Sequence, residues 1–71
     1  MAAEQYYRDL YGQYRDQMVA LEEDITDLTY VRFVERLVRS ERDYRKSTGA
    51  SEIRYVVREV QGQTTLVPIT R

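Results

Sequence analysis

The sequence predicts a mainly helical α+β domain that ends in a β-hairpin. Two patterns in the 71 residues support this prediction. Apolar side chains recur with helical spacing through residues 3–48, and residues 51–71 alternate with period two around a glycine-containing turn. A chain of this length holds one small core at most, so we expect a single domain over residues 1–71.

The first helix is indicated by a heptad stripe of apolar side chains. One series repeats every seven residues from Tyr7, and a second follows four positions behind it from Tyr11. Tyrosine suits a half-buried interface, because its ring can be covered while its hydroxyl reaches water or a partner. We therefore expect this stripe, the helical seam, to bind a partner in the manner of a coiled coil. Ordinary amphipathic packing within the chain is the alternative. The helical seam comprises Tyr7, Tyr11, Tyr14, Met18, Leu21, Ile25 and Leu28.

The apolar pattern changes between Asp24 and Asp27, where short polar side chains can cap the start of a new helix. Beyond this point the apolar stripe is broader and about one residue out of phase with the first. Two helices, at about 3–24 and 27–47, fit this change, and one long kinked helix of about 65 Å is the alternative. Gly49 follows the second helix as a predicted left-handed cap.

The C-terminal hairpin is predicted to have strands at about 52–60 and 64–70, but the sequence leaves its register open. A two-residue loop would place Leu66 and Pro68 beside the apolar residues of the first strand, on one face of the sheet. A three-residue loop would instead group five apolar side chains that we expect to bind a partner. These five are Ile53, Tyr55, Val57, Val67 and Ile69.

An isolated two-stranded hairpin is marginally stable in water, so this one needs further contacts. It can lie on the helices, or it can join strands of neighbouring molecules by β-augmentation. Pro68 cannot donate a hydrogen bond within the sheet, so the first strand is the better acceptor of an added strand.

The composition excludes several classes of site. The chain has no Cys and no His, which rules out disulfide and zinc-based scaffolds together with the commonest general base and the thiol nucleophile. Among the carboxylates, Glu22 to Asp24 and Asp27 lack the order of ligands found in a calcium loop. We therefore expect no enzymatic activity, no metal site and no cofactor. Association with protein partners is then the remaining source of stability for so small a domain.

The net charge of −1 hides an uneven distribution of charged residues along the chain. Residues 1–27 hold seven acids and two bases, a net charge of −5, whereas residues 28–71 hold nine bases and five acids, a net charge of +4. Copies of such a chain can stack head to tail. The alternative is an intramolecular helical hairpin whose two oppositely charged halves attract each other.

A row of arginines on the second helical segment comes nearest to a ligand-binding motif. Arg32, Arg36 and Arg39 are spaced four and three residues apart and so share one helical face, the basic face. Arginine can hold phosphate groups, so contact with nucleic acid is one interpretation. Acids are interleaved with these bases, however, and we favour a solvated or salt-bridged surface over a nucleic-acid site.

These features together favour a non-enzymatic structural or adaptor subunit of a larger protein assembly, which associates through its helical seam and by strand addition of its C-terminal hairpin. By analogy alone, joining or completion proteins of phage particles are small chains of this kind. The alternatives are a small regulator that docks on a larger enzyme, and a nucleic-acid-binding homodimer. No run of residues is apolar and long enough to cross a membrane, so we expect a cytoplasmic protein or a component of a particle assembled there.

Overall fold

In the computed structural model, two helices are followed by a two-stranded antiparallel hairpin, which confirms the predicted α+β arrangement. The structure describes the backbone of residues 2–70 and the side chains of residues 4–69. Met1 and Arg71, which the predicted domain included, lie outside the described residues. Two separate helices are present in place of one long kinked helix. The elements are α1 (Ala2–Ala20), α2 (Tyr30–Thr48), β1 (Ile53–Val60) and β2 (Gln63–Thr70).

Helix α1 ends at Ala20, before the predicted boundary at residue 24, because the backbone turns sharply at Glu22. Glu22 adopts a left-handed conformation with a φ of 58°. The N–H of Glu23 donates to the carbonyl of Met18 at 2.9 Å, and the N–H of Glu22 donates to that of Val19 at 3.0 Å. This is the Schellman arrangement, which usually has glycine at the left-handed position. A glutamate there gives no sequence signal for the end of the helix.

We expect Glu22→Gly to raise the free energy of unfolding by about 0.5–1 kcal/mol, because glycine adopts the left-handed conformation without a Cβ clash. Chemical denaturation followed by circular dichroism measures this change. Glu35→Gly is the matched control, since the same substitution at an exposed position inside α2 should lower stability by about 1 kcal/mol. A loss of stability in both variants would contradict the role assigned to Glu22.

Helix α2 begins at Tyr30, three residues after the predicted start, because Thr29 caps it. The hydroxyl oxygen of Thr29 accepts the N–H of Arg32 at 3.2 Å. The cap was predicted at Asp24, Thr26 or Asp27, and all three precede the observed cap. Asp24 instead forms a separate local turn, in which its carboxylate accepts the hydroxyl and the N–H of Thr26 at 2.5 and 2.9 Å. These two hydrogen bonds hold the pKa of Asp24 below its usual value.

The end of α2 agrees with the prediction. Gly49 has a left-handed φ of 70°, and its N–H donates to the carbonyl of Arg45 at 2.8 Å. Arg45 and Lys46 lie in the last turn, where positive charge suits the helix dipole. The predicted glycine cap is therefore confirmed.

The hairpin turns through a two-residue loop, which decides the register that the sequence left open. Gln61 and Gly62 both have positive φ, 52° and 78°, as a type I′ turn requires. Val60 therefore pairs with Gln63, one residue before the predicted start of the second strand. The three-residue loop is excluded by this pairing.

Because side chains alternate along each strand, the register divides the hairpin into two faces. The inner face, which lies against the helices, carries Ile53, Tyr55, Val57, Thr64, Leu66 and Pro68. The outer face carries Arg54, Val56, Arg58, Val60, Gln63, Thr65, Val67 and Ile69. The predicted grouping of five apolar hairpin residues is therefore wrong, since Val67 and Ile69 lie on the face opposite to Ile53. The physical reason is the length of the loop, because shifting one strand by one residue turns every side chain to the other face.

The core lies between the helices and the inner face of the hairpin. Helix α1 is adjacent to α2 and to both strands. Among residues 4–69, five hydrophobic residues are buried, each with at most 6% of its surface exposed: Leu10, Phe33, Leu37, Ile53 and Tyr55. Of the two predicted arrangements, the structure therefore shows the hairpin lying on helices of its own chain.

Candidate functional site

The helical seam is used mostly inside this chain. Tyr7, Tyr11 and Tyr14 pack against the core cluster, and Leu28 joins them from the segment between the helices. The hydroxyl of Tyr11 donates to the carbonyl of Leu28 at 2.9 Å, which ties α1 to the segment that precedes α2. The remaining seam residues are half-buried and lie outside this cluster: Met18, Leu21 and Ile25. The tyrosines predicted to bind a partner are therefore engaged within the molecule.

Leu10, the most buried residue of α1, lies outside the seam and was missed by the heptad pattern. It is 3% exposed and belongs to the same core cluster as Leu37 and Ile53. A second apolar row does exist in the sequence, because Tyr6, Leu10 and Tyr14 follow one another at intervals of four residues. The hairpin decides which row is inside, since Ile53 is more than forty residues away in the chain.

Glu41 is the only buried acid among residues 4–69, with 7% of its surface exposed. The hydroxyl of Tyr7 donates to its two carboxylate oxygens at 3.5 and 3.4 Å. Burial, followed by the negative charge of Glu41, raises the pKa of Tyr7 above its ordinary 10.0, and Arg45 opposes this in part. The contact joins the first turns of α1 to the second half of α2.

Tyr55 places a second phenol in the interior. Its hydroxyl donates to the hydroxyl oxygen of Ser40 at 3.0 Å, which connects β1 to α2. Burial raises the pKa of Tyr55 above 10.0, and this effect exceeds the lowering caused by the bond with Ser40. Both buried phenols therefore favour the protonated state in the folded protein.

We expect the free energy of unfolding to fall as the pH rises above about 10. The folded protein keeps the protons of Tyr7 and Tyr55 at pH values where the unfolded chain releases them. The stability that these groups contribute is thus fully present below the unfolded pKa and is lost as the pH rises through the folded pKa values. Urea denaturation at several pH values between about 8 and about 11.5 measures this fall in the free energy of unfolding. The double variant Tyr7→Phe, Tyr55→Phe should show a smaller fall, and an equal fall in both proteins would contradict this assignment.

Both edges of the hairpin are contacted by side chains from outside it. At the β1 edge, the N–H of Tyr55 donates to the hydroxyl of Tyr6 at 2.8 Å. At the β2 edge, the carboxylate of Glu23 accepts the N–H and the hydroxyl of Thr64 at 3.1 and 2.6 Å. Pro68 lies opposite Tyr55 and has no N–H to offer. An added strand needs free N–H groups, so these contacts restrict β-augmentation at both edges.

The basic face is exposed but electrically mixed. Arg32 lies 3.8 Å from the carboxylate of Asp27, and both side chains are exposed. Arg36 and Arg39 line a shallow depression on α2 that also contains Asp43. A carboxylate in this depression repels phosphate, which weakens the case for a nucleic-acid site.

The outer face of the hairpin carries apolar side chains that the described part of the chain leaves at least partly uncovered. Val56 and Val67 lie directly opposite each other at its centre. Val60 and Ile69, near its two ends, are each 47% exposed. Arg58 adds a positive charge beside the valines. The helices lie on the inner face, and on the outer face Val56 and Val67 are half-buried whereas Val60 and Ile69 are exposed.

A cleft of about 380 Å³ opens between α2 and β2. Its floor is formed by Phe33, Leu37 and Tyr55, and Arg36 lies at its rim. The polar group on the floor is the Tyr55 hydroxyl, which already donates to Ser40. Every buried side-chain nitrogen and oxygen in the part of the chain that the structure describes has a hydrogen-bond partner. Among the described residues, the cleft therefore contains no buried side-chain polar group without a hydrogen-bond partner.

The structure and the comparisons with known proteins give the following findings on metal sites, membrane spans and relatives. Within residues 2–70 there is no group of three or more acids placed to hold a metal ion. Over the same range, neither helix combines the length and the apolar character needed to cross a bilayer. No protein-family model, no curated protein and no solved structure matches this chain. The outer hairpin face is therefore the candidate site that the geometry supports best.

Proposed function

We propose that this protein is a non-enzymatic structural or adaptor subunit that docks on a larger protein assembly through its outer hairpin face. The observation that carries the proposal is a two-stranded sheet whose inner face is filled by its own helices, while its outer face exposes branched apolar side chains. Val56 and Val67 form its centre, and Val60 and Ile69 extend it along the strands. Such a patch is typical of a surface that a protein partner covers.

The docking mode is face-to-face packing and not strand addition. Tyr6 and Glu23 each occupy an N–H group at one edge of the hairpin, which leaves a short stretch for an added strand. The outer face has no such obstruction. Arg58 lies on this face, so the partner we infer is a protein with an apolar surface rimmed by carboxylates.

Two other functions have weaker support. A small regulator of an enzyme would use the same outer hairpin face, and the identity of the partner distinguishes it from a structural subunit. Nucleic-acid binding would use the basic face, where Asp27 and Asp43 lie close to the arginines. Neither alternative has an observation of its own in the described residues.

Site-specific photo-crosslinking in the cells that make the protein tests the proposal. A crosslinking amino acid at Val67 should join the chain to one protein component of a high-mass particle, and the same group at Gln13 should not. Gln13 is the matched control because it is an exposed polar residue of α1, and the helices lie against the inner face of the hairpin. Val67→Lys should release the chain from the particle without unfolding it, since a lysine side chain can remain in solvent on this face.

A chain that sediments only as a free monomer or dimer, with no crosslinked product at Val67, would overturn the proposal. A crosslinked product that is a free enzyme, outside any particle, would replace the structural role by the regulatory one. Equal crosslinking at Gln13 and Val67 would contradict a specific outer-face contact.

A further inference from the structure

A second surface, which the proposed function does not use, runs along α2. Val31 and Val38 are 64% and 38% exposed on one side of this helix. Glu35, Arg42 and Arg45 are exposed as well and continue the row at spacings of four and three residues. We call this row the valine face, and it extends over about 21 Å of the helix. Valine is a poor helix former at an exposed position, so helix propensity does not explain its presence there.

Within residues 4–69, the charged side chains of the valine face form no ion pair. Among the described residues, neither Glu35 nor Arg42 has an oppositely charged side chain within ion-pair distance. The two are seven residues apart, so they are not neighbours on their own helix, where contacts join positions three or four apart. Each is therefore available to a side chain from another molecule.

The order of these residues is self-complementary under two-fold symmetry. When two copies of α2 cross antiparallel with Val38 at the axis, Glu35 of each copy faces Arg42 of the other. Val31 then lies against the aliphatic part of Arg45 of the second copy. A parallel arrangement would instead bring Glu35 against Glu35 and Arg42 against Arg42, which is unfavourable. The charge pattern thus favours the antiparallel orientation, with α2 of a second copy of this chain on the valine face.

We propose that the valine face binds the α2 helix of a second copy of this chain in an antiparallel two-fold dimer. A single helix pair of this length buries less than the roughly 1,600 Å² of a standard stable interface, so the dimer is weak, with a Kd of tens of micromolar or more. Such a dimer presents two outer hairpin faces, and binding through both would strengthen attachment to an assembly. This role rests on the proposed function, whereas the dimer itself rests on α2 alone.

Sedimentation equilibrium of the purified chain from micromolar to millimolar concentration tests the dimer. We expect Glu35→Arg and Arg42→Glu each to weaken dimerisation by about tenfold or more, because each turns two attractive pairs into repulsive ones. An equimolar mixture of the two variants should dimerise as strongly as the wild type, since every cross-dimer pair is again of opposite charge. Such recovery in a mixture arises only from contacts between copies. Thermal unfolding of each variant checks that it remains folded.

A wild-type chain that stays monomeric at millimolar concentration would overturn the proposal, and so would a mixture that is as weak as either variant alone. Val67→Thr, on the outer hairpin face, should leave the dimer Kd unchanged within about twofold, since distant sites act independently. A chain that dimerises but joins no larger particle contradicts the proposed function and leaves the dimer standing. A chain that joins the particle as a monomer contradicts the dimer and leaves the proposed function standing.

Discussion

Leu37→Ala should lower the free energy of unfolding by about 2–5 kcal/mol. Leu37 is 2% exposed and is the side chain that the core encloses most completely. It belongs to the cluster that joins α2 to Leu10 of α1 and to Ile53 and Tyr55 of β1, so a cavity there weakens all three elements. A chain of this length has a total stability of about 4–10 kcal/mol, of which this loss is a large part.

Urea denaturation followed by circular dichroism at low protein concentration measures the loss. Val19→Ala is the matched control, because Val19 is a valine on α1 with 52% of its surface exposed. This control should change stability by no more than about 0.5 kcal/mol. A loss below about 1 kcal/mol for Leu37→Ala would show that the core described here does not hold the helices and the hairpin together.

Glu23→Ala should lower the free energy of unfolding by about 2–3 kcal/mol. The carboxylate of Glu23 is the acceptor for both the N–H and the hydroxyl of Thr64, a residue that is 8% exposed. Its removal leaves a buried donor pair without an acceptor, which costs more than the loss of an exposed hydrogen bond. The substitution also frees the β2 edge of the hairpin.

A double-mutant cycle with Thr64→Val separates this contact from general effects of the substitutions. Adding Thr64→Val to Glu23→Ala should cost less than adding it to the wild type, with a coupling energy of about 1–2 kcal/mol. Glu35→Ala removes an exposed acid from α2 and should be nearly neutral. Independent, additive effects of Glu23→Ala and Thr64→Val would contradict the contact.

The features that the sequence predicted correctly are encoded by neighbouring residues. The left-handed cap at Gly49 follows from glycine beside a helix that ends in cations, and the two strands follow from alternating residues around Gly62. The register of the hairpin could not be predicted from the turn residues, because Gln61 shows no preference for the positive φ that it adopts. The early end of α1 escaped prediction for the same reason, since Glu22 is an unusual residue in that conformation.

The candidate site was predicted less well than the fold, because its assignment depends on contacts between distant residues. The tyrosines of the helical seam were expected to bind a partner, yet Tyr7 and Tyr11 face the core of their own chain. Glu23 belonged to an acidic cluster in the sequence, and its contact with Thr64 spans 41 positions. Val67 was assigned to the same face as Ile53, because the sequence did not determine the register of the two strands.

The side chains of Tyr6 and Glu23, which bind the two edges of the hairpin, also determine how the chain unfolds. Tyr6 reaches Tyr55 across 49 positions, and Glu23, in the segment after α1, reaches Thr64 across 41. The hairpin therefore cannot separate from α1 and from the segment that follows it without losing both contacts. Neither the hairpin nor α1 is large enough to remain ordered alone. The amide hydrogens of Tyr55 and Thr64 should therefore exchange with solvent only when the whole chain unfolds. This protein then behaves as one cooperative unit, with no partly open state in which the hairpin is exposed by itself.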